Sequence, residues 1–196
     1  MKIILSASLI MLGYLLGSIP NVYIMVRLFT GKDIRKLGSG NVGGLNAIRN
    51  VGLPVGLIGG ILDVAKGVLA VFLAQKFSSN EIVPLLTGIA AVAGHNWPLY
   101  LNFSGGKGVG TTVGVMSMIK PLVLIPCLIG GILIALILKE ASIGAIAGFL
   151  AGTIYLWIDS KSVYYLLFGL VLTLFAILRF RKDLIRYLKK KNIIKV

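Results

Sequence analysis

Acidic side chains are scarce: six Asp and Glu stand against twenty Lys and Arg in 196 residues, with one histidine and one cysteine. Each shortage excludes something. The lone Cys127 admits no intramolecular disulfide and lies in an apolar run, where it reads as packing. One histidine, no cysteine pair and no carboxylate cluster give no set of metal ligands, so neither metal nor cofactor is expected. A metal-dependent alcohol phosphotransferase needs clustered aspartates, and there are none. No Ser-His-Asp set stands out, which argues against covalent catalysis. Nor is any polar stretch long enough to bury a core of its own.

What the chain has in excess is apolar length. Hydrophobic residues make up 57% and charged residues 13%, with a mean hydropathy of +0.96; soluble domains carry about 45–50% and about 25%. The net charge of +14 suits nucleic acid, an anionic membrane or an anionic substrate. In so apolar a chain the membrane explains much of it, because cytoplasmic flanks collect Lys and Arg. Membrane phospholipid is therefore an expected partner and nucleic acid is not. The length predicts one domain, residues 1–196.

A helix needs roughly 20 mostly apolar residues to cross the hydrocarbon core. Candidate spans are 4–29, 53–75, 82–101, 108–119, 121–138, 142–158 and 163–179. The first follows Lys2, lacks a small-x-small cleavage site and runs past Gly17, so it reads as a retained helix. The fourth, stopped by Pro121, covers only about 18 Å and is the doubtful one. Charge placement decides for it. Segment 31–50 carries Lys32, Arg35, Lys36 and Arg49; the tail carries Arg179, Arg181, Lys182, Arg186, Lys189, Lys190, Lys191 and Lys195. Both should be cytoplasmic, which requires an even number of crossings between them: six with the short helix, five without it. The expectation is an all-α integral membrane protein of seven transmembrane helices, N-terminus outside and C-terminus cytoplasmic. Its tail, about 180–196, is expected as a basic interfacial helix with Leu184, Ile185 and Leu188 toward lipid.

Two loops on the expected cytoplasmic side are suited to phosphate. In the first, Gly38, Ser39, Gly40, Asn41, Val42, Gly43, Gly44, Leu45 and Asn46 lie between Arg35 and Arg49. Gly38, Gly40 and Gly43 match a dinucleotide fingerprint, but no strand precedes them and the match is rejected. Glycines still let backbone N–H groups converge on an anion, Ser39, Asn41 and Asn46 add donors, and Arg49 offers a bidentate contact. In the second, Gly94-His95-Asn96-Trp97-Pro98 is followed by Ser104-Gly105-Gly106-Lys107-Gly108. It is no Walker A loop, yet it joins glycines and one lysine to a helix N-terminus, with Thr111 and Thr112 a turn further in. His95 is a capping residue or a general base. Asp63 and Lys66, mid-span at i, i+3, can pair on one face, for function or for support of the bundle. Glu140 and Ser142 are candidates to orient a loop or touch a ligand.

Taken in order, these segments resemble the bacterial acyl-phosphate:glycerol-3-phosphate acyltransferases over nearly the whole chain. Gly17-Ser18-Ile19-Pro20, Asp33-Ile34-Arg35, Gly38 through Gly43, Asn46 and Arg49 look like the family's first motif. Asp63 and Lys66-Gly67 match a D-x-x-K-G. Gly94-His95, Pro98 and Phe103 through Val109, with Gly105-Gly106-Lys107-Gly108, resemble its second motif. Two places depart. A family G-A-T-N stands here as Gly43-Gly44-Leu45-Asn46, and R-H-R-E-N as Arg179-Phe180-Arg181-Lys182-Asp183.

The resemblance implies a seven-helix enzyme of the bacterial inner membrane, with its active site facing the cytoplasm. It would move a fatty acyl group from acyl phosphate to glycerol 3-phosphate, the first acylation of phospholipid synthesis. Lys107, Ser39, Arg49 and His95 are the expected catalytic residues. Gly38, Gly40, Asn41, Asn46, Gly105, Gly106, Gly108 and Arg181 are the expected phosphate contacts. Two rival readings are a transporter for an anionic metabolite and a paralogue that binds phosphate or lipid without turnover. The transporter reading predicts a midplane site between repeated halves; the motifs instead gather at one face, and no internal repeat is evident.

Overall fold

The structure is a computed structural model that describes residues 2–193; Met1 and 194–196, including Lys195 of the basic tail, lie outside the described residues. The helices are α1 (Lys2–Ser18), α2 (Asn21–Thr30), α3 (Gly44–Asn50), α4 (Leu53–Phe77), α5 (Ile82–Asn96), α6 (Val109–Ile119), α7 (Leu124–Leu138), α8 (Ala141–Ser160) and α9 (Val163–Lys190). Six segments are long and apolar enough to cross a membrane: Lys2–Thr30, Leu53–Phe77, Ile82–Leu101, Pro121–Leu138, Ala141–Ser160 and Val163–Lys190. The shorter apolar α6 is the doubtful fourth span of the sequence pattern.

Three details differ from the pattern. The first span is two helices, because Pro20 offers no N–H and disfavours helical backbone at Ile19; there Ile19 N–H donates to Leu16 and Asn21 N–H to Ile19. The third span ends as an α-helix at Asn96 and continues as a 3-10 turn over Leu99–Leu101. The basic segment expected as a tail from about residue 180 is continuous with α9 through Lys190, since no glycine or proline interrupts it.

The chain forms two compact units, Met1–Ile119 and Lys120–Val196. Lipid supplies little hydrophobic drive between helices, so close backbone approach over small residues has to hold them together. In the first unit α1 packs on α5 and α4 on α6. A Cβ on Gly17 would strike the Ala91 backbone, one on Gly94 the backbone of Tyr14 and Ser18, and one on Gly67 that of Thr111. Below the 31–46 segment sits an apolar cluster of Val22, Val26, Ile34, Val42, Ala47, Val55 and Leu101. Ile34 and Val42 point down into it, so the loop between them hangs from the core.

The second unit is simpler. α7 packs on α8 and α8 on α9, with Gly131 against Gly144 and Gly169 against Thr153. Among its buried polar contacts is a hydroxyl pair, Thr153 with Thr173 at 3.2 Å. Glu140 caps α8, accepting from Ser142 N–H at 3.3 Å and Ser142 Oγ–H at 2.7 Å. Lys120 pairs with Asp159 at the other end of that helix.

Candidate active site

The first glycine loop is fastened by its own neighbours. Gly38 and Gly40 hold φ of +51° and +70°, where other residues are strained. The turn they make wraps around Asn46, which is 6% exposed. Its Oδ1 accepts from Ser39 N–H at 3.2 Å, and its Nδ2 donates to the carbonyls of Leu37 and Asn41, each at 3.0 Å. Asn50 Nδ2 braces Asn46 at its carbonyl (2.9 Å) and at Oδ1 (3.0 Å). The Asn46 carboxamide, expected at a phosphate, is thus engaged inside the loop. At the entry, Asp33 caps a 3-10 turn by accepting from Arg35 N–H at 2.9 Å and pairs with its guanidinium at 2.7 Å. The guanidinium lies 5.4 Å above the Tyr23 ring. The hydrogen bonds from Arg35 bring the Asp33 carboxyl down to about 2, and the carboxylate raises the Arg35 value in return. Ser39, Leu45 and Arg49 are exposed.

The second loop is fastened from far away. α5 ends on His95 and Asn96, and Tyr14 of α1 donates its hydroxyl to the Trp97 carbonyl at 2.8 Å. The chain then passes left-handed turns at Asn102 and Phe103 and returns over the end of α5. Gly106 N–H donates to the His95 carbonyl at 3.1 Å. Gly105 and Gly106 are buried and Lys107 half-buried; Gly108, at φ +80°, opens α6. A Cβ on Gly105 would strike the His95 carbonyl, and one on Gly106 the imidazole Nε2. The same Gly106 position lies 2.6 Å from the Val42 carbonyl. The two glycine loops therefore touch. Thr111 and Thr112, a turn into α6, are fully buried.

Under the second loop lies a group of charges that the sequence showed only in part. Asp63 and Lys66 pair at 3.0 Å, as the i, i+3 spacing predicts. Asp63 Oδ1 also accepts from Asn21 Nδ2 at 3.2 Å and lies 3.6 Å from His95 Nδ1. Lys66 Nζ donates to the Ile19 carbonyl at 2.8 Å, at the break that Pro20 creates. Asp63, Lys66 and His95 are 4%, 6% and 7% exposed. Removing one member of a buried pair costs about 3–5 kcal/mol, since the other charge is stranded.

Of the predicted site residues, Gly38, Ser39, Gly40, Asn41, Asn46 and Arg49 thus belong to the first loop and its helix. His95, Gly105, Gly106, Lys107 and Gly108 form the second. Arg181 is exposed on α9 of the second unit, next to the buried Phe180. Asn21 and Asn50 were missed; neither belongs to a motif in the sequence, and only the fold gives each its partner.

A bundle of lipid-exposed apolar helices, carrying two touching glycine loops with cationic side chains, defines a polytopic membrane protein with a face suited to phosphate. Comparison with known proteins narrows that class. The chain belongs to the glycerol-3-phosphate acyltransferase family, whose profile matches residues 7–190. A glycerol-3-phosphate acyltransferase from Synechococcus is 38% identical over 185 residues, covering 93% of this chain and 92% of that one. One from Desulforamulus reducens is 34% identical over 177 residues, 90% and 88%. Glycerol-3-phosphate acyltransferase 1 of Dehalococcoides mccartyi is 48% identical over 118 residues; that match spans 60% of this chain and 57% of the relative. The fold is similar to crystal structures of PlsY (YgiH), an integral membrane glycerol 3-phosphate acyltransferase. Its glycerol 3-phosphate form gives a TM-score of 0.87 at 32% identity, covering 94% of this chain and 92% of that one. Its lysophosphatidic acid form gives 0.85 at 30%, with the same coverage. The chain is a multi-pass integral membrane protein.

Proposed function

We propose that this protein transfers a fatty acyl group from an acyl phosphate to glycerol 3-phosphate at the cytoplasmic face of a bacterial inner membrane. The observation that carries the reading is the contact between the two glycine loops at Val42 and Gly106. A reaction between two phosphorylated substrates needs two anion sites side by side, and each loop brings a cation, Arg49 beside the first and Lys107 in the second. Lys107 and Ser39 hold one phosphate; Arg49 and Asn41 hold the other. Asn46 serves from beneath by shaping the first loop. An apolar groove of about 450 Å³ along α4, lined by Ile61, Val64, Val68 and Phe72 among others, offers lipid-side room for an acyl chain. The positive segment 31–50 supports the cytoplasmic orientation.

Acyl phosphate is a mixed anhydride with a good leaving group, so positioning and charge neutralisation account for most of the acceleration. A glycerol hydroxyl oxygen attacks the acyl carbonyl carbon, the carbonyl–O–P linkage breaks on the carbonyl side, and inorganic phosphate departs. The hydroxyl proton passes to the departing phosphate, leaving lysophosphatidate. The position of His95 beneath the loop, with Gly106 over its Nε2, favours that acceptor over the imidazole. Purified protein given palmitoyl phosphate and glycerol 3-phosphate should release phosphate and lysophosphatidate in equal amounts. It should give neither product with palmitoyl thioesters. Turnover on thioesters alone would overturn the donor; no acylation with any donor, from folded protein, would overturn the reading.

A further inference from the structure

The Asp63 cluster has a shape that decides its role. The cavity between Ser18, Asn21, Asp63, Lys66, His95, Gly105 and Gly106 measures about 10 Å³, room for one water at most and far too small for phosphate or an acyl carbonyl. Its charges therefore act on protein, and the protein they face is the second glycine loop. One edge of the His95 ring looks at Asp63 (Nδ1 to Oδ1, 3.6 Å). The opposite edge lies where a Gly106 side chain would begin. Gly106 N–H also bonds the His95 carbonyl, so the loop rests on this residue by both backbone and ring. Lys66 balances the Asp63 charge and ties α4 to the Ile19 carbonyl. Asn21 fixes the carboxylate from α2.

We propose that Asp63 is a positioning residue that holds His95 as the Nδ1–H tautomer, making the imidazole a fixed floor under Gly105-Gly106-Lys107. The tautomer follows from the neighbour, because the ring nitrogen nearest a carboxylate keeps the proton. With the floor fixed, the loop backbone and Lys107 hold their places before substrate arrives, and little reorganisation remains on binding. Asp63 touches no substrate. Its effect on turnover rests on the acyl-transfer reading above, but its effect on His95 does not.

His95 is the only histidine of the chain, so a ¹⁵N-histidine spectrum of the whole protein in detergent reports on it alone. The wild type is expected to show the Nδ1–H tautomer, and Asp63→Asn to lose it. An Nε2–H tautomer in the wild type, or an unchanged spectrum in the variant, overturns the proposal whether or not the protein is an acyltransferase. Turnover supplies the second arm. Asp63→Asn strands Lys66 and is expected to fold poorly, so the double variant Asp63→Asn/Lys66→Met removes both charges. It should regain most of the lost Tm while kcat/KM stays down tenfold or more, chiefly through the KM of one phosphate substrate. A merely structural pair predicts that activity returns with Tm; a double variant within twofold of wild type would refute the positioning role. An inactive wild type with the expected spectra would leave the positioning intact and reject acyl transfer.

Discussion

The two glycine loops reach the same kind of anion site by opposite means. The first is closed by bonds that reach no more than nine positions along the chain: Asn46 ties Ser39, Leu37 and Asn41, and Asn50 ties Asn46. The second turns on its own backbone between Pro98 and Ser104 and bonds back from Gly106 to His95, and it lies on a platform assembled from α1, α2, α4 and α5. There Lys66 bonds a carbonyl 47 positions away and Asp63 an amide 42 positions away. A locally closed loop depends on its own sequence. A platform loop depends on the bundle, so damage deep in the membrane should reach it without touching the loop itself.

Lys107→Ala is the largest break expected, because it removes the charge of the second loop and leaves the platform. Turnover to lysophosphatidate should fall at least about 10²–10³-fold, the scale of losing a transition-state contact to developing charge, while Tm stays near wild type. Near-normal turnover would sink the assignment of Lys107 to a phosphate. Next come the glycines. Gly106→Ala drives a methyl into the imidazole and Gly38→Ala drives one into Asn46 and Asn50 at a φ of +51°. Both should cost activity, but only Gly106→Ala should disturb the ¹⁵N signals of His95. If both move them alike, the loops are not independently supported.

A subtler pair sharpens the same contrast. Asn46→Ala leaves Ser39 N–H and two carbonyls without their partner, at about 1–3 kcal/mol for each group that water does not reach. Asn46→Asp keeps the acceptor for Ser39 but sets a carboxylate against the carbonyls of Leu37 and Asn41. The aspartate should therefore be the worse of the two, with lower Tm and weaker protection by inorganic phosphate. An aspartate variant as stable as wild type would mean that the loop is not built on the Asn46 donor.

What could be read from sequence follows that division. The apolar runs, the short fourth span and both glycine loops are local patterns, and all appear in the structure. So does the Asp63–Lys66 pair, since i, i+3 neighbours share a helix face. The rest was hidden because it joins residues that only packing brings together. Nothing in the sequence around Asn21 distinguishes it as a ligand of Asp63, and His95 gives no sign of which neighbour it faces. Asn46 shows the converse: a polar residue in a glycine loop reads as a substrate contact, and only the fold reveals its 6% exposure and its bonds to Ser39, Leu37 and Asn41. The break after Ile19 was legible in Pro20; its use as an acceptor for Lys66 was not.

The smallest effect belongs to Asp33, at the outer edge of the first loop. Arg35 brings its carboxyl from about 3.8 to about 2 in the folded protein. A folded value below the unfolded one means that the interaction stabilises above about pH 4 and is lost as pH falls toward 2. The pair is partly open to solvent, with side-chain exposures of 35% and 16%, so its worth lies within the 0–1 kcal/mol or so of surface pairs. Asp33→Asn should lower Tm by a few degrees at most at pH 7 and by less at pH 3, with the difference shrinking in high salt. Loss of the Asp33 cap also releases the 3-10 turn that leads into Gly38, so KM for one phosphate substrate should rise slightly at constant kcat. The Asp63→Asn/Lys66→Met protein, whose charges lie under the other loop, should show neither the salt dependence nor the acid convergence. If both variants respond alike to salt and acid, the platform under the second loop is as open to water as the edge of the first, and the distinction between the loops fails.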